Sequence, residues 1–230
     1  MLLCAITDRT LLGGNLAAQR EALLRQARMW AENGVTLVQF REKNLPVPEQ
    51  IALARALQAV LRSAKTATRL VLNAPVEIAL AAGVDGVHLP AEGAAEKLRA
   101  LRSGSVAGAA SLWVSVSCHT LAEVEQARAA GADCILFAPV FGKQVRVADG
   151  ADANADLSTL PGVGTEALAA ACRAAHPVPV LALGGVTMKN AAACIAAGAS
   201  GIAAIRLFHL PPERWRALCA PSQPTPQQTW

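Results

Sequence analysis

The sequence predicts one α/β domain, a closed (β/α)8 barrel of the TIM type, and three observations carry that prediction. Short, continuously apolar runs of strand length alternate with stretches of helical apolar spacing, eight of each, as in a parallel sheet buried on both faces. One design also recurs, in Trp30-Ala-Glu-Asn-Gly-Val-Thr-Leu-Val, Ala79-Leu-Ala-Ala-Gly-Val-Asp-Gly-Val-His, Ala127-Arg-Ala-Ala-Gly-Ala-Asp-Cys-Ile-Leu and Cys194-Ile-Ala-Ala-Gly-Ala-Ser-Gly-Ile-Ala. In each copy a helix ends on small residues, a glycine supplies a left-handed turn, and an apolar strand follows. Finally, 230 residues that are 53% hydrophobic suffice for one large core. A doubly wound sheet would need about two fewer strand–helix units.

Leu2 to Thr7 is an apolar run ended by Asp8 and Arg9, and reads as the first strand. Asn15 can cap a helix reaching about Asn33, with Leu16, Leu23, Leu24, Ala27 and Trp30 on one face, and Gly34 stops it. Val35 to Phe40 is the second strand; Pro46 and Pro48 then open a helix from Pro48 to Lys65. Leu70 to Asn73, Gly86 to Leu89, Leu112 to Ser117, Cys134 to Ala138, Pro179 to Leu183 and Gly201 to Ile205 are the remaining strands. Helices are expected over Val76 to Ala82, Ala94 to Arg102, Thr120 to Ala130, Thr165 to Ala175, Met188 to Ala197 and Pro211 to Ala220. The barrel domain thus spans residues 1–220, and the proline-rich polar tail 221–230 is expected to be disordered. Lys143 to Gly164 is long for a βα loop, and mobility is expected there.

The net charge of +4 is mild and scattered, so no nucleic-acid or membrane-surface partner is expected, and a small anion remains compatible. No apolar run approaches the length of a membrane span, and the chain lacks a basic leader. Six cysteines without C-x-x-C spacing read as reduced, buried hydrophobes, which points to a cytoplasmic chain without a zinc site. The oligomeric state is left open, a homo-oligomer included.

Active sites of such barrels lie at the C-terminal ends of the strands. Strand alternation from Leu37 puts Gln39, Arg41 and Lys43 on one face and Phe40 and Glu42 on the other. A row of two cations and an amide is costly to bury without an anion, so it belongs at an open strand end, facing a ligand or solvent. Asn73, Ser117, His119 and Lys143 also follow strands, and Gly184-Gly185 lets a backbone approach a phosphate, beside a helix N-terminus expected after the eighth strand. Arg206 adds a further anion contact. His119, a side chain of the type that most readily gains and loses a proton near neutral pH, is the natural proton carrier and, with Lys43, a catalytic candidate; its alternative role is to cap the next helix or pair with backbone. His88 lies within an apolar strand and reads as a satisfied core histidine; Lys143 could equally be a solvated loop lysine. No nucleophile triad and no metal-ligand spacing is present.

The ordered motifs Ala5-Ile-Thr-Asp, Gln39-Phe-Arg-Glu-Lys, Leu72-Asn, Gly86-Val-His-Leu, Ser117-Cys-His-Thr, Phe137-Ala-Pro-Val-Phe and Leu183-Gly-Gly-Val resemble the thiamine-phosphate synthase and TenI family, from about Leu3 to Leu207. In a synthase the resemblance implies that the Gln39 row and Asn73 bind a hydroxymethylpyrimidine diphosphate with Mg²⁺ while the glycine loop holds a thiazole phosphate. Pyrophosphate leaves and the thiazole nitrogen joins the pyrimidine carbon. The synthase pattern has metal-binding aspartates directly after the asparagine and shortly after Val-His-Leu, where this chain has Ala74 and Leu89-Pro90-Ala91-Glu92-Gly93. Only Glu92 could deputise, so no metal site and no cofactor is expected, Mg²⁺ entering only with the synthase reading. The residues around Asn73 and His88 look more like TenI, an isomerase that aromatises a carboxythiazole phosphate, although that branch carries a histidine where this chain has Pro139. The resulting order of expectations is a TenI-type thiazole tautomerase, then the synthase, a transferase, then a barrel that binds a phosphorylated metabolite without turnover.

Overall fold

The computed structural model describes residues 1–146 and 157–219. The expected disorder of residues 221–230, and the middle of the segment expected to be mobile, lie outside them. Eight strands, β1 (Leu2–Ile6), β2 (Leu37–Phe40), β3 (Arg69–Leu72), β4 (Gly86–Leu89), β5 (Trp113–Cys118), β6 (Cys134–Phe137), β9 (Val180–Leu183) and β10 (Gly201–Ala204), close into a parallel barrel. Helices α1 (Leu16–Glu32), α2 (Val47–Ser63), α3 (Val76–Ala82), α4 (Ala94–Arg102), α5 (Leu121–Ala129), α6 (Gly164–Ala175), α7 (Ala191–Ala196) and α8 (Pro212–Arg216) accompany it. The (β/α)8 prediction holds.

The recurring sequence design has a structural reason beyond its glycine. Gly34, Gly83, Gly131 and Gly198 all take positive φ, between 65° and 96°, where a side chain would be strained. In the first three copies the polar residue two positions later clamps the preceding strand. Thr36 donates its N–H to the Leu3 carbonyl and accepts the Leu3 N–H on Oγ1, at 3.0 Å each. Asp85 does the same to Leu70 and Asp133 to Val114, each carboxylate oxygen accepting the strand's first free N–H at 2.8 and 2.7 Å. Each of these three copies therefore ends a helix, starts a strand and sets that strand's register against its neighbour, while in the fourth Ser200 gives only its backbone N–H, to the Val180 carbonyl at 2.8 Å.

The side-chain period of two divides the core into two compartments. Leu37, Cys4, Ile6, Val71, Cys134, Leu136, Leu181 and Ala203 fill the barrel interior. Val38, Phe40, Leu70, Leu72, Val87 and Val116 face the helices in a much larger outer cluster. The five cysteines whose side chains are described are free, and four of them are buried.

Three local expectations are corrected. The segment from Lys143 is not simply a loop: β7 (Lys143–Arg146) and β8 (Leu157–Leu160) pair antiparallel, Lys143 opposite Leu160. Strands of four residues with mixed polarity carry too little periodicity to be read from sequence. Helix α7 begins at Ala191, not Met188, because the Asn190 side chain accepts the Thr187 N–H at 2.7 Å and donates to the Gly185 carbonyl at 3.0 Å, holding residues 185–190 as a turn. The end of β10 leads into a single 3-10 turn, Arg206–His209, where a helix N-terminus was expected. Too few peptide dipoles align there to give it an anion-binding field.

Candidate functional site

The residues after Phe40 decide the character of the barrel mouth. Gln39 points inward above Leu37 and is 2% exposed, and its Nε2 has no hydrogen-bond partner among the described residues. An unpaired buried amide donor costs about 1–3 kcal/mol, so this is a natural place for a ligand acceptor. β2 ends at Phe40, yet the alternation continues into the loop: Arg41 and Lys43 are exposed, whereas Glu42 turns away and is 3% exposed.

Glu42 meets Arg9, itself 6% exposed, whose Nη1 donates to Glu42 Oε2 at 2.8 Å and to Asn44 Oδ1 at 2.7 Å. The Arg9 N–H donates to Glu42 Oε1 at 3.0 Å. Thr7 Oγ1 accepts the Arg41 N–H at 3.0 Å. The loop after β1 thus holds the loop after β2 by side chain and backbone at once, which fixes where Arg41 and Lys43 leave the barrel. Sequence reading placed Glu42 on the opposite face but did not find its partner, because Arg9 lies 33 residues away on another loop.

Beside the row stand Asn73 and His88, which with Lys43 line one end of a cavity of about 710 Å³. His88 is buried, with Nδ1 2.8 Å from Ser115 Oγ and Nε2 2.9 Å from Ser117 Oγ. Burial, then the positive charges of Arg41 and Lys43, lowers its pKa to about 3, so the imidazole is neutral, one nitrogen donating and the other accepting. The sequence reading of a satisfied core histidine matches these contacts. What it missed is the position: His88 lies on the inner face of β4 directly below the cationic row, with Ser115, which sequence reading did not single out. The shared period of two in His88, Ser115 and Ser117 is the signal that could have found the group.

His119 stands apart from them. It is exposed, and its Nδ1 lies 2.6 Å from the Ala138 carbonyl, to which it donates, while Glu123 Oε2 accepts the His119 and Thr120 N–H groups at the start of α5. These contacts are those of a helix cap and a backbone pair, and they leave only Nε2 to exchange a proton.

Gly184 and Gly185 adopt φ of 90° and 65°. A Cβ on Gly184 would come within 2.7 Å of Pro139 Cα, and one on Gly185 within 2.7 Å of Phe141 Cβ. The Gly184 carbonyl accepts the Phe141 N–H at 3.0 Å and the Leu183 carbonyl the Val140 N–H at 2.9 Å, so the glycine pair is required by close packing on the loop after β6. The N–H groups of both glycines have no acceptor among the described residues, and Arg206 is exposed near the end of the adjacent β10. Lys143 opens β7, but its side chain lies outside the described residues. Gly185→Ala is expected to lower stability by about 1–3 kcal/mol, through left-handed strain and overlap together, and thermal unfolding measures it; an unchanged melting temperature contradicts this packing.

The ends of β3 and β4 themselves carry no carboxylate: Ala74 and Pro75 follow Asn73, Pro90 follows Leu89, and Glu92 is exposed. Glu77, in the first turn of α3, is exposed and is the one carboxylate among the described residues that line the cavity. Among the described residues no group of three or more His, Cys, Asp or Glu could hold a metal. Mg²⁺ prefers an octahedral set of carboxylate, phosphate and water oxygens, and the protein donors present do not fit that role.

The family described as thiamine monophosphate synthase matches residues 3–208. The chain is 40% identical over 221 residues to a putative thiamine-phosphate synthase of Geobacter sulfurreducens, covering 94% of this chain and 91% of the relative. It is 34% identical to the thiamine-phosphate synthase of Bacillus velezensis over 76% of this chain and 71% of that one. Among solved structures it resembles the thiamine phosphate pyrophosphorylase from Pyrococcus furiosus, with a TM-score of 0.69 and 26% identity over 93% of this chain and 90% of that one. These names side with the synthase rather than with the tautomerase that the residues around Asn73 and His88 had placed first. Among the described residues no helix is long and apolar enough to cross a membrane.

Proposed function

This chain belongs to the thiamine monophosphate synthase family, and from that membership we propose that it joins a hydroxymethylpyrimidine diphosphate to a thiazole phosphate. The observation that carries the reading is the presence of two anion-receptive places on one barrel mouth. Arg41 and Lys43, with the orphaned Gln39 donor, follow β2, and Gly184, Gly185 and Arg206 follow β9 and β10, with β1 between them in the barrel order. Two phosphorylated substrates need two such places; a tautomerase needs one.

In this arrangement the diphosphate rests on Arg41 and Lys43, with Gln39 Nε2 and Asn73 as neutral donors. The thiazole phosphate takes the N–H groups of Gly184 and Gly185 and the Arg206 guanidinium. The thiazole nitrogen lone pair forms the new bond to the pyrimidine methylene carbon as the carbon–oxygen bond to the diphosphate breaks. The electron pair departs on pyrophosphate, and its growing charge faces cations already in place, the condition under which electrostatic stabilisation is most effective. Neutral His88 takes no part in proton transfer; it holds the Ser117 hydroxyl in one orientation.

Arg41→Ala is expected to weaken binding of the pyrimidine diphosphate roughly tenfold to a hundredfold by loss of a charge-assisted hydrogen bond of about 1.5–3 kcal/mol, with stability changed by less than about 0.5 kcal/mol. Calorimetric titration and thermal unfolding on the same variant check both; unchanged affinity with a lowered melting temperature would sink the functional role of the row.

A second reading, aromatisation of a carboxythiazole phosphate, is favoured by one observation, the absence of carboxylates at the described ends of β3 and β4. The two are separated by incubating the protein with thiazole phosphate and pyrimidine diphosphate, with and without Mg²⁺, and in parallel with the carboxythiazole phosphate alone. Thiamine phosphate and pyrophosphate in equal amounts are the expected products. Isomerisation without condensation selects the second reading.

A further inference from the structure

Adjacent helices pack side by side from α1 to α3 and from α4 to α7, whereas α3 and α4 meet less closely. The gap between them is the cavity of about 710 Å³, within the range that accommodates small organic ligands. Its two ends differ in chemistry. At the barrel mouth stand Lys43, Asn73 and the neutral ring of His88. Away from the mouth the wall is largely apolar, formed by Ile78 of α3, Ala100 and Leu101 of α4, and Val106 from the segment after it, although Gln50, Glu77 and Lys97 also line the cavity. Water in such a space finds few partners along most of the wall, and an apolar group there releases it.

We propose that the cavity between α3 and α4 binds the apolar aryl part of an aryl phosphomonoester whose phosphate rests on Lys43 at the barrel mouth. The proposal rests on the reading of the Arg41–Lys43 row as a phosphate site and extends it to a ligand class. The geometry sets the orientation: Lys43 at the mouth holds the phosphate, the Asn73 amide adds a donor, and the ring lies along the apolar wall of Ile78 and Leu101. A ligand without the anion leaves Lys43 unmatched, and an anion without the ring leaves the apolar wall wet.

The test uses inorganic phosphate, 1-naphthyl phosphate and 1-naphthol as probes in calorimetric titration of the full chain. 1-Naphthyl phosphate is expected to bind roughly tenfold to a hundredfold more tightly than inorganic phosphate, from the apolar area its ring removes from water. It is also expected to bind more tightly than 1-naphthol. Ala100→Trp fills the cavity from α4 and Val106→Trp fills it from the following segment. Each is expected to weaken 1-naphthyl phosphate binding at least tenfold while leaving inorganic phosphate within about twofold, with a melting temperature measured to identify a variant that has not folded. Equal affinity of the naphthyl and inorganic phosphates overturns the proposal, as does equal affinity of 1-naphthol and its phosphate, or undiminished binding in a folded filled variant. Thiamine phosphate formation by the unaltered chain reports separately on the synthase reading. Turnover with no naphthyl preference removes the aryl compartment alone, and naphthyl preference without turnover removes the synthase alone.

Discussion

Glu42→Ala is expected to lower stability by about 3–5 kcal/mol, the usual result of leaving one member of a buried ion pair without its partner. The magnitude follows from what Arg9 would lose. Arg9 is 6% exposed, and its Nη1 donates to Glu42 Oε2 at 2.8 Å. Its Nε already lacks a partner among the described residues, so little compensation is at hand. The same carboxylate also accepts the Arg9 N–H, so the loop after β1 loses both backbone and side-chain attachment. Urea unfolding measures the loss, and a change under about 1 kcal/mol would show that the pair is not buried in solution. The double substitution Arg9→Met with Glu42→Leu separates stability from positioning. It removes both charges and is expected to recover much of the stability, because well-packed apolar residues often replace a buried pair at little cost. It does not restore the hydrogen bonds that aim Arg41 and Lys43, so affinity for the pyrimidine diphosphate is expected to stay low. Recovery of stability and affinity together would show that the pair does not position the row.

Lowering the pH from 7 to 4.5 is expected to cost about 2–3 kcal/mol of stability through His88 alone. The folded-state pKa is lowered from 6.5 to about 3, by burial first and then by Arg41 and Lys43. Between those two values the unfolded chain binds a proton that the folded chain does not, so stability rises with pH across the window. The contribution is complete above about pH 6.5 and is lost progressively as the pH falls towards 3. Urea unfolding at pH 7 and 4.5, on the unaltered chain and on His88→Gln, isolates the contribution: the variant is expected to show a pH dependence smaller by about 2–3 kcal/mol. An equal pH dependence in both proteins would mean that His88 is not held neutral.

Most of the barrel was legible in the sequence because its signals are local. Helices α3 and α4 and strand β4 begin and end where the apolar period and flanking glycine and proline place them, and Asn15 caps α1 by accepting the Ala18 N–H at 2.9 Å. The four helix–glycine–strand copies needed only neighbouring residues to declare themselves. The hairpin of β7 and β8 was not legible, since each strand is stabilised by the other across a gap longer than itself. The short turn Arg9–Leu12 escaped for a similar reason, Asp8 accepting the Thr10 N–H at 3.2 Å in a stretch too brief to show a period.

The candidate site divides the same way. By itself the sequence determined a parallel barrel, the face that Gln39 shares with Arg41 and Lys43, and the opposite face of Glu42, because alternation along a strand is a property of the backbone. It also determined that a glycine pair follows the strand Val180–Leu183. Only the tertiary structure decided that Arg9 holds Glu42, that His88 lies between two serines of β5, that the His119 ring pairs with the Ala138 carbonyl, and that α3 and α4 part around a cavity. Each of those depends on which side chains closure of the barrel brings together from loops and strands distant in sequence, and local patterning carries no record of distances across the barrel.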